Sequence, residues 1–191
     1  MRIIIPNYAF RIKINIVIMI KKYNVRHNTG RVIQPETGKM INGQALGEVS
    51  KLRYGLCRMS FNGCEVIAVH NALVWLGMPR PVAEIARYME RFRMLIGFFG
   101  CSPYKIGKAL RHFGADCERR DYPGDADAFI VTFWTKRPFL SSVHTVFCIR
   151  ENDGIKVYNI YNDCPEARRY SSLRDFAGDR KPIAVYALVR N

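Results

Sequence analysis

The sequence predicts an α+β domain. Helical periodicity is confined to residues 62–114, strand periodicity takes over from residue 129 to residue 189, and an ENDG turn joins two of the strands as a hairpin. The 191 residues are 49% hydrophobic, which excludes a disordered chain, and the Gly and Pro counts of 14 and 9 exclude a collagen-like or low-complexity one. Length and composition fit one compact domain with an N-terminal extension.

Charge divides the chain unevenly. Lys and Arg outnumber Asp and Glu by 30 to 16, and residues 1–60 hold 11 of the bases but only two acids, Glu36 and Glu48. Such a leader suits nucleic acid, an anionic membrane face, an acidic partner or simple solubility. Residues 3–20 are apolar but interrupted by Pro6, Arg11 and Lys13, and the run from Ile14 to Ile20 is far below the roughly 20 residues a membrane span needs. No small-residue cleavage site follows it, so neither a span nor a signal peptide is expected. Its β-branched residues read as a strand pair or an edge extension. Residues 24–51, rich in Gly, Asn, Thr and Gln, read as loop. The expected organisation is thus a basic strand-and-loop extension over 1–50 and a domain over 51–191.

The first helix of that domain spans residues 62–77. Asn62 and Glu65 form an N-x-x-E capping box, Gly77 is the stop, and Val66, Ile67, Val69, Leu73 and Val74 make it a buried helix. A second helix covers 81–93, with Pro81 in its first turn and Val82, Ile85, Ala86, Met89 and Phe92 on one face. A third runs from Ser102-Pro103 to Gly114. Strands follow at Phe129–Thr135, Val143–Arg150, Ile155–Tyr161 and Pro182–Val189.

Cys64 is the residue with a chemical signature. Behind an Asn62 cap its thiol would sit among unpaired helix N–H groups, which favour thiolate, and Gly63 would leave a substrate room to approach. A nucleophile needs a base. Of His27, His70, His112 and His144, only His144 enters a strand behind a small-residue loop. If Arg150 pairs Ile155 across the turn, Asn159 lies diagonal to His144 on one sheet face, whereas a two-residue loop at Asp153-Gly154 brings Asp163 opposite instead. The other five cysteines, Cys57, Cys101, Cys117, Cys148 and Cys164, form no C-x-x-C pair, and reduced thiols in a cytoplasm are expected.

The segments NGCEVIAVHNALVWLG and HTVFCIRENDGIKVYN, with the helix pair between them, resemble the papain superfamily of cysteine peptidases. They are closest to its small bacterial branch of bacteriocin-processing, double-glycine-cleaving peptidases. The likeness covers about residues 54–190 and implies a papain-like fold. It further implies that Cys64 attacks, His144 acts as base and then acid, and Asn159 orients the imidazole. Where that family places an oxyanion-binding Gln, six residues before the Cys, this chain has Arg58. Arg58 or Asn62 would substitute, beside the Cys64 backbone N–H.

Two other patterns carry less. GCSPYKIGKA has the wrong glycine spacing for a phosphate loop and lacks its Ser or Thr. Residues 81–114 resemble a helix-turn-helix presenting Lys105, Lys108 and Arg111, but with too long and apolar a connection. The expectation is a thiol-dependent peptidase acting on a peptide or protein substrate, without metal or cofactor. The alternatives are acyl transfer by the same residues, an inactive papain-like binding domain, or a basic nucleic-acid module.

Overall fold

The structure, a computed structural model, describes residues 7–30, 35–135 and 142–190, with side chains over 15–30, 35–134 and 143–190. Helices dominate the first half and an antiparallel sheet the second. The leader departs from expectation: Asn7–Thr29 is one long helix, α1, in place of a strand pair. β-Branched residues disfavour a helix by only a few tenths of a kcal/mol each, and tertiary contacts override that preference. Here Asn24 and Asn28, one turn apart, anchor the helix. Asn24 donates to the Gly55 carbonyl at 2.8 Å, and Asn28 exchanges two 2.9 Å bonds with the backbone of Arg53. Residues 3–6 of the expected leader strands, and residues 136–141 of the small-residue loop before His144, lie outside the described residues.

A two-strand hairpin, β1 (Arg53–Tyr54) and β2 (Cys57–Arg58), leads into the short helix α2 (Met59–Asn62) and then α3 (Cys64–Trp75). The expected single helix from residue 62 is therefore broken at Gly63. Any side chain at Gly63 would overlap Met59, so the space above it belongs to the core and is not an approach path for substrate. α3 is buried along residues 64–73 and forms the central helix. Beside it lie α4 (Val82–Met89), which turns Val82, Ile85, Ala86 and Met89 inward, and α5 (Ile106–His112). Between α4 and α5 the chain makes 3₁₀ turns at Glu90–Phe92, Leu95–Gly97 and Pro103–Lys105, far from the tight connection of a helix-turn-helix.

The sheet has six strands in the order β3-β8-β4-β5-β6-β7, every pair antiparallel. They are β3 (Cys117–Arg120), β4 (Ala128–Thr135), β5 (Ser142–Glu151), β6 (Gly154–Tyr158), β7 (Arg168–Tyr170) and β8 (Pro182–Leu188), with α6 (Leu173–Ala177) between the last two. The sheet is covered on both faces, which explains the continuous apolar run AFIVTFW in β4. Ala128, Ile130 and Phe147 pack toward the helices, while Phe129, Val131, Phe133 and Val146 pack with Leu173 and Phe176 on the opposite side. No helix among the described residues is long and apolar enough to cross a membrane.

Candidate active site

The N-terminus of α3 meets the sheet beside β5, and a cavity of about 670 Å³ opens there. Cys64, Glu65, Asn62, Gln44, His144 and Asp163 line it, together with an aromatic wall that includes Phe61, Phe98, Phe99, Phe133 and Phe176. The structure thus gathers Cys64 and His144, 80 positions apart, onto one concave surface with residues as distant as Gln44 and Phe176.

The hairpin register is the predicted one: Arg150 pairs Ile155, and Glu151 pairs Gly154 across the turn. The ladder stops at Phe147–Tyr158, because Asn159 turns to φ +59°, a left-handed conformation that Asn tolerates better than most residues. That turn redirects the residue. The Asn159 backbone carbonyl, and not its amide, meets His144 Nε2 at 2.7 Å. The side chain faces Gln44 instead: Asn159 Nδ2 donates to Gln44 Oε1 at 3.2 Å, and the Gln44 N–H donates to Asn159 Oδ1 at 3.1 Å. The expectation that the Asn159 amide orients the imidazole is corrected accordingly. Its carbonyl has a definite consequence, however. A carbonyl only accepts, so Nε2 carries the hydrogen, and in the neutral ring Nδ1 is the basic nitrogen. Asp163 sits exposed at the cavity rim, in the loop after β6.

Cys64 is the first residue of α3 and is 6% exposed. Its thiol donates to Glu65 Oε2 at 3.3 Å and is met by the backbone of Thr145, the neighbour of His144. Burial, and next the Glu65 carboxylate, push the Cys64 thiol well above its ordinary range. The expectation of a preformed thiolate is therefore reversed: desolvation and a like charge outweigh the helix N–H groups. Glu65 itself is 1% exposed, and burial pushes its carboxyl up to about 7 against the backbone N–H groups and thiol that favour its charge. Gly100, at φ +69°, closes over this carboxylate, and a Cβ there would stand 2.8 Å from Glu65 Oε2.

Strand alternation sets the face of β5 that carries His144. His144 shares its face of β5 with Val146 and Cys148, on the α6 side, whereas Thr145 and Phe147 face the helices. The thiol and the imidazole both line the one cavity.

Neither expected oxyanion substitute stands as predicted. Arg58 ends β2 and caps α2, exposed and away from the cavity lining, because a full helical turn intervenes before α3. Asn62 lines the cavity, but it is no cap: Gly63 holds that position without a side-chain bond. Its Nδ2 is committed to the carbonyls of Tyr54, at 2.8 Å, and Gly97. Gln44 is the group sequence reasoning missed. It is 2% exposed, and its Nε2 donates one hydrogen to the Ser60 carbonyl at 3.1 Å. Nothing in the spacing marks it, since it lies 20 residues before Cys64 in a loop. Of the other histidines, His70 is buried against the Lys39 and Arg80 carbonyls, at 2.9 and 3.1 Å.

No family model matches this chain, and neither a curated protein nor a solved structure matches it.

Proposed function

We propose that this protein is a thiol-dependent hydrolase of the papain-like type, cutting a peptide bond through an acyl-enzyme on Cys64. The observation that carries the reading is the shared cavity, lined by both the Cys64 thiol and His144, whose tautomer the Asn159 carbonyl fixes with Nδ1 as base. Because the thiol is held neutral, the reaction starts from a neutral pair. Cys64 Sγ attacks the substrate carbonyl carbon as its proton passes to His144 Nδ1. The imidazolium then protonates the departing amine, and water releases the acyl group by the reverse transfers. The second Nε2 hydrogen of Gln44 is the candidate donor to the oxyanion, a role that replaces Arg58 and Asn62. Acyl transfer to an amine follows the same course with a different acceptor.

A second reading, a papain-like domain that binds peptides without cutting them, is favoured by the raised thiol. Incubation with a mixed peptide library separates the two. Hydrolase activity predicts new peptide termini that appear with the wild type and vanish with Cys64→Ala. Retention of peptides without cleavage supports the binding domain.

A further inference from the structure

Beyond the cavity, α1 has an exposure pattern that the thiol chemistry does not use. Ile16, Val17, Ile18 and Met19 are 39, 39, 46 and 67% exposed. Four consecutive positions sweep a full helical turn, so aliphatic surface faces solvent on every side of the helix there. Contiguous apolar surface of this kind marks an interaction site. The helix also carries Arg11, Lys13, Lys21, Lys22 and Arg26 and no acid.

A second feature adjoins it. Lys21 lines a pocket of about 460 Å³ together with Arg87 and Arg91 of the α4 region and His112 of α5, opposed by Glu84 alone. Ile18, Lys21 and Val25 fall on one stripe of α1, so the apolar turn leads directly into the basic pocket. Arg91 is held in place there, its guanidinium 4.1 Å from the Tyr88 ring centre and its Nε donating to the Tyr88 carbonyl.

We propose that α1 docks this protein on an anionic lipid surface, with Ile16–Met19 entering the acyl boundary and the Lys21, Arg87 and Arg91 pocket receiving a lipid phosphate. Both halves of the pattern are needed for the choice. A nucleic acid would neutralise the bases yet leave four aliphatic side chains in water, whereas a lipid interface takes up both. The helix lies in the interface and does not span it, because its apolar run is far too short. The proposal is independent of the Cys64 chemistry.

The test is co-sedimentation of the full chain with vesicles of phosphatidylcholine alone and of phosphatidylcholine mixed with phosphatidylglycerol. Binding to the mixed vesicles only, weakening as salt rises, is expected. Arg87→Gln with Arg91→Gln should lower partitioning at least about tenfold, at roughly 1 kcal/mol per base. Ile18→Gln with Met19→Gln should lower it by at least as much, through lost apolar burial. All four positions are exposed and the two pairs lie on different elements, so if circular dichroism shows one pair misfolded, the other decides. Equal binding to both vesicle types would overturn the proposal, as would no binding to either. Three further results, each obtained without vesicle binding, would also overturn it and name the true occupant. These are uptake of inorganic phosphate by calorimetry, retention of single-stranded RNA, and a dimer by light scattering that Ile18→Gln/Met19→Gln dissociates.

Discussion

Two buried glutamates in the helical half, Glu65 and Glu90, have opposite surroundings. Glu90 is 3% exposed and has a countercharge: its Oε1 accepts from Asn24 Nδ2 at 2.6 Å and the Gly55 N–H at 3.1 Å, and its Oε2 pairs with the Arg93 guanidinium at 2.6 Å. It ties α1, the β1–β2 hairpin and the end of α4 together. Glu65 is buried as deeply, but its donors are a thiol and two backbone N–H groups, and no cation stands among its partners in the described residues. Its carboxyl rises to about 7. A carboxylate with a countercharge serves as a structural joint. One without, at the end of a cavity beside a cysteine, becomes a group that titrates near neutrality.

The proposed hydrolase reading puts chemistry at the Glu65 end of the molecule and stability at the Glu90 end, and substitutions can break either half. The largest expected effect is on turnover. Cys64→Ala and His144→Ala should each lower it by more than about 10⁴-fold while leaving the urea unfolding transition in place, and loss of cooperative unfolding would move them to the structural side. Next in size is Glu90→Ala, which strands Arg93 in the interior and should cost about 3–5 kcal/mol in urea unfolding. Glu65→Gln at low pH should cost far less. If the two substitutions cost the same, the distinction between the carboxylates fails.

The third effect is a pH dependence whose sign follows from the raised carboxyl. Unfolded, Glu65 ionises near its ordinary value of 4.5, and folded near 7. Between those values unfolding releases a proton, so the contribution of Glu65 is fully present below about 4.5 and is lost as pH rises through about 7. The loss amounts to about 3 kcal/mol across the window. Urea midpoints of the wild type should fall relative to those of Glu65→Gln over that range, and parallel curves would show that the carboxyl is not raised. The smallest effect is expected at Asn159. Asn159→Ala removes the paired bonds to Gln44 and places Ala at φ +59°, costing about 2 kcal/mol. It should slow turnover much less than His144→Ala, because the His144 partner is the backbone carbonyl and survives the change.

What the sequence made legible were features with local causes. The ENDG turn sets the β5–β6 register, and the period of α4 places its buried face. What it concealed depends on tertiary closure. The Asn42 Oδ1 bond to the Asn159 N–H and the Gln44–Asn159 pair join segments more than 110 residues apart. No local period encodes such bonds, so neither Gln44 nor the use of the Asn159 backbone carbonyl in place of its side chain is legible in the sequence. The leader failed for a different reason. Its β-branched run suits a strand, but two asparagines one turn apart, bonded to the β1–β2 region, hold it helical. The Asn62–Glu65 capping box was misleading because α2 runs to Asn62, which turns that side chain toward Tyr54 and Gly97.

Site-resolved alkylation of the six cysteines by iodoacetamide across pH, read by mass spectrometry, tests the account most directly. A neutral Cys64 thiol served by His144 predicts labelling at Cys64 that rises only on the alkaline side of an ordinary thiol. The same labelling should slow at least about tenfold in His144→Ala and accelerate in Glu65→Gln, where the neighbouring negative charge is gone. Labelling of Cys64 that neither substitution alters would contradict a thiol–imidazole pair and leave the cavity as a binding site.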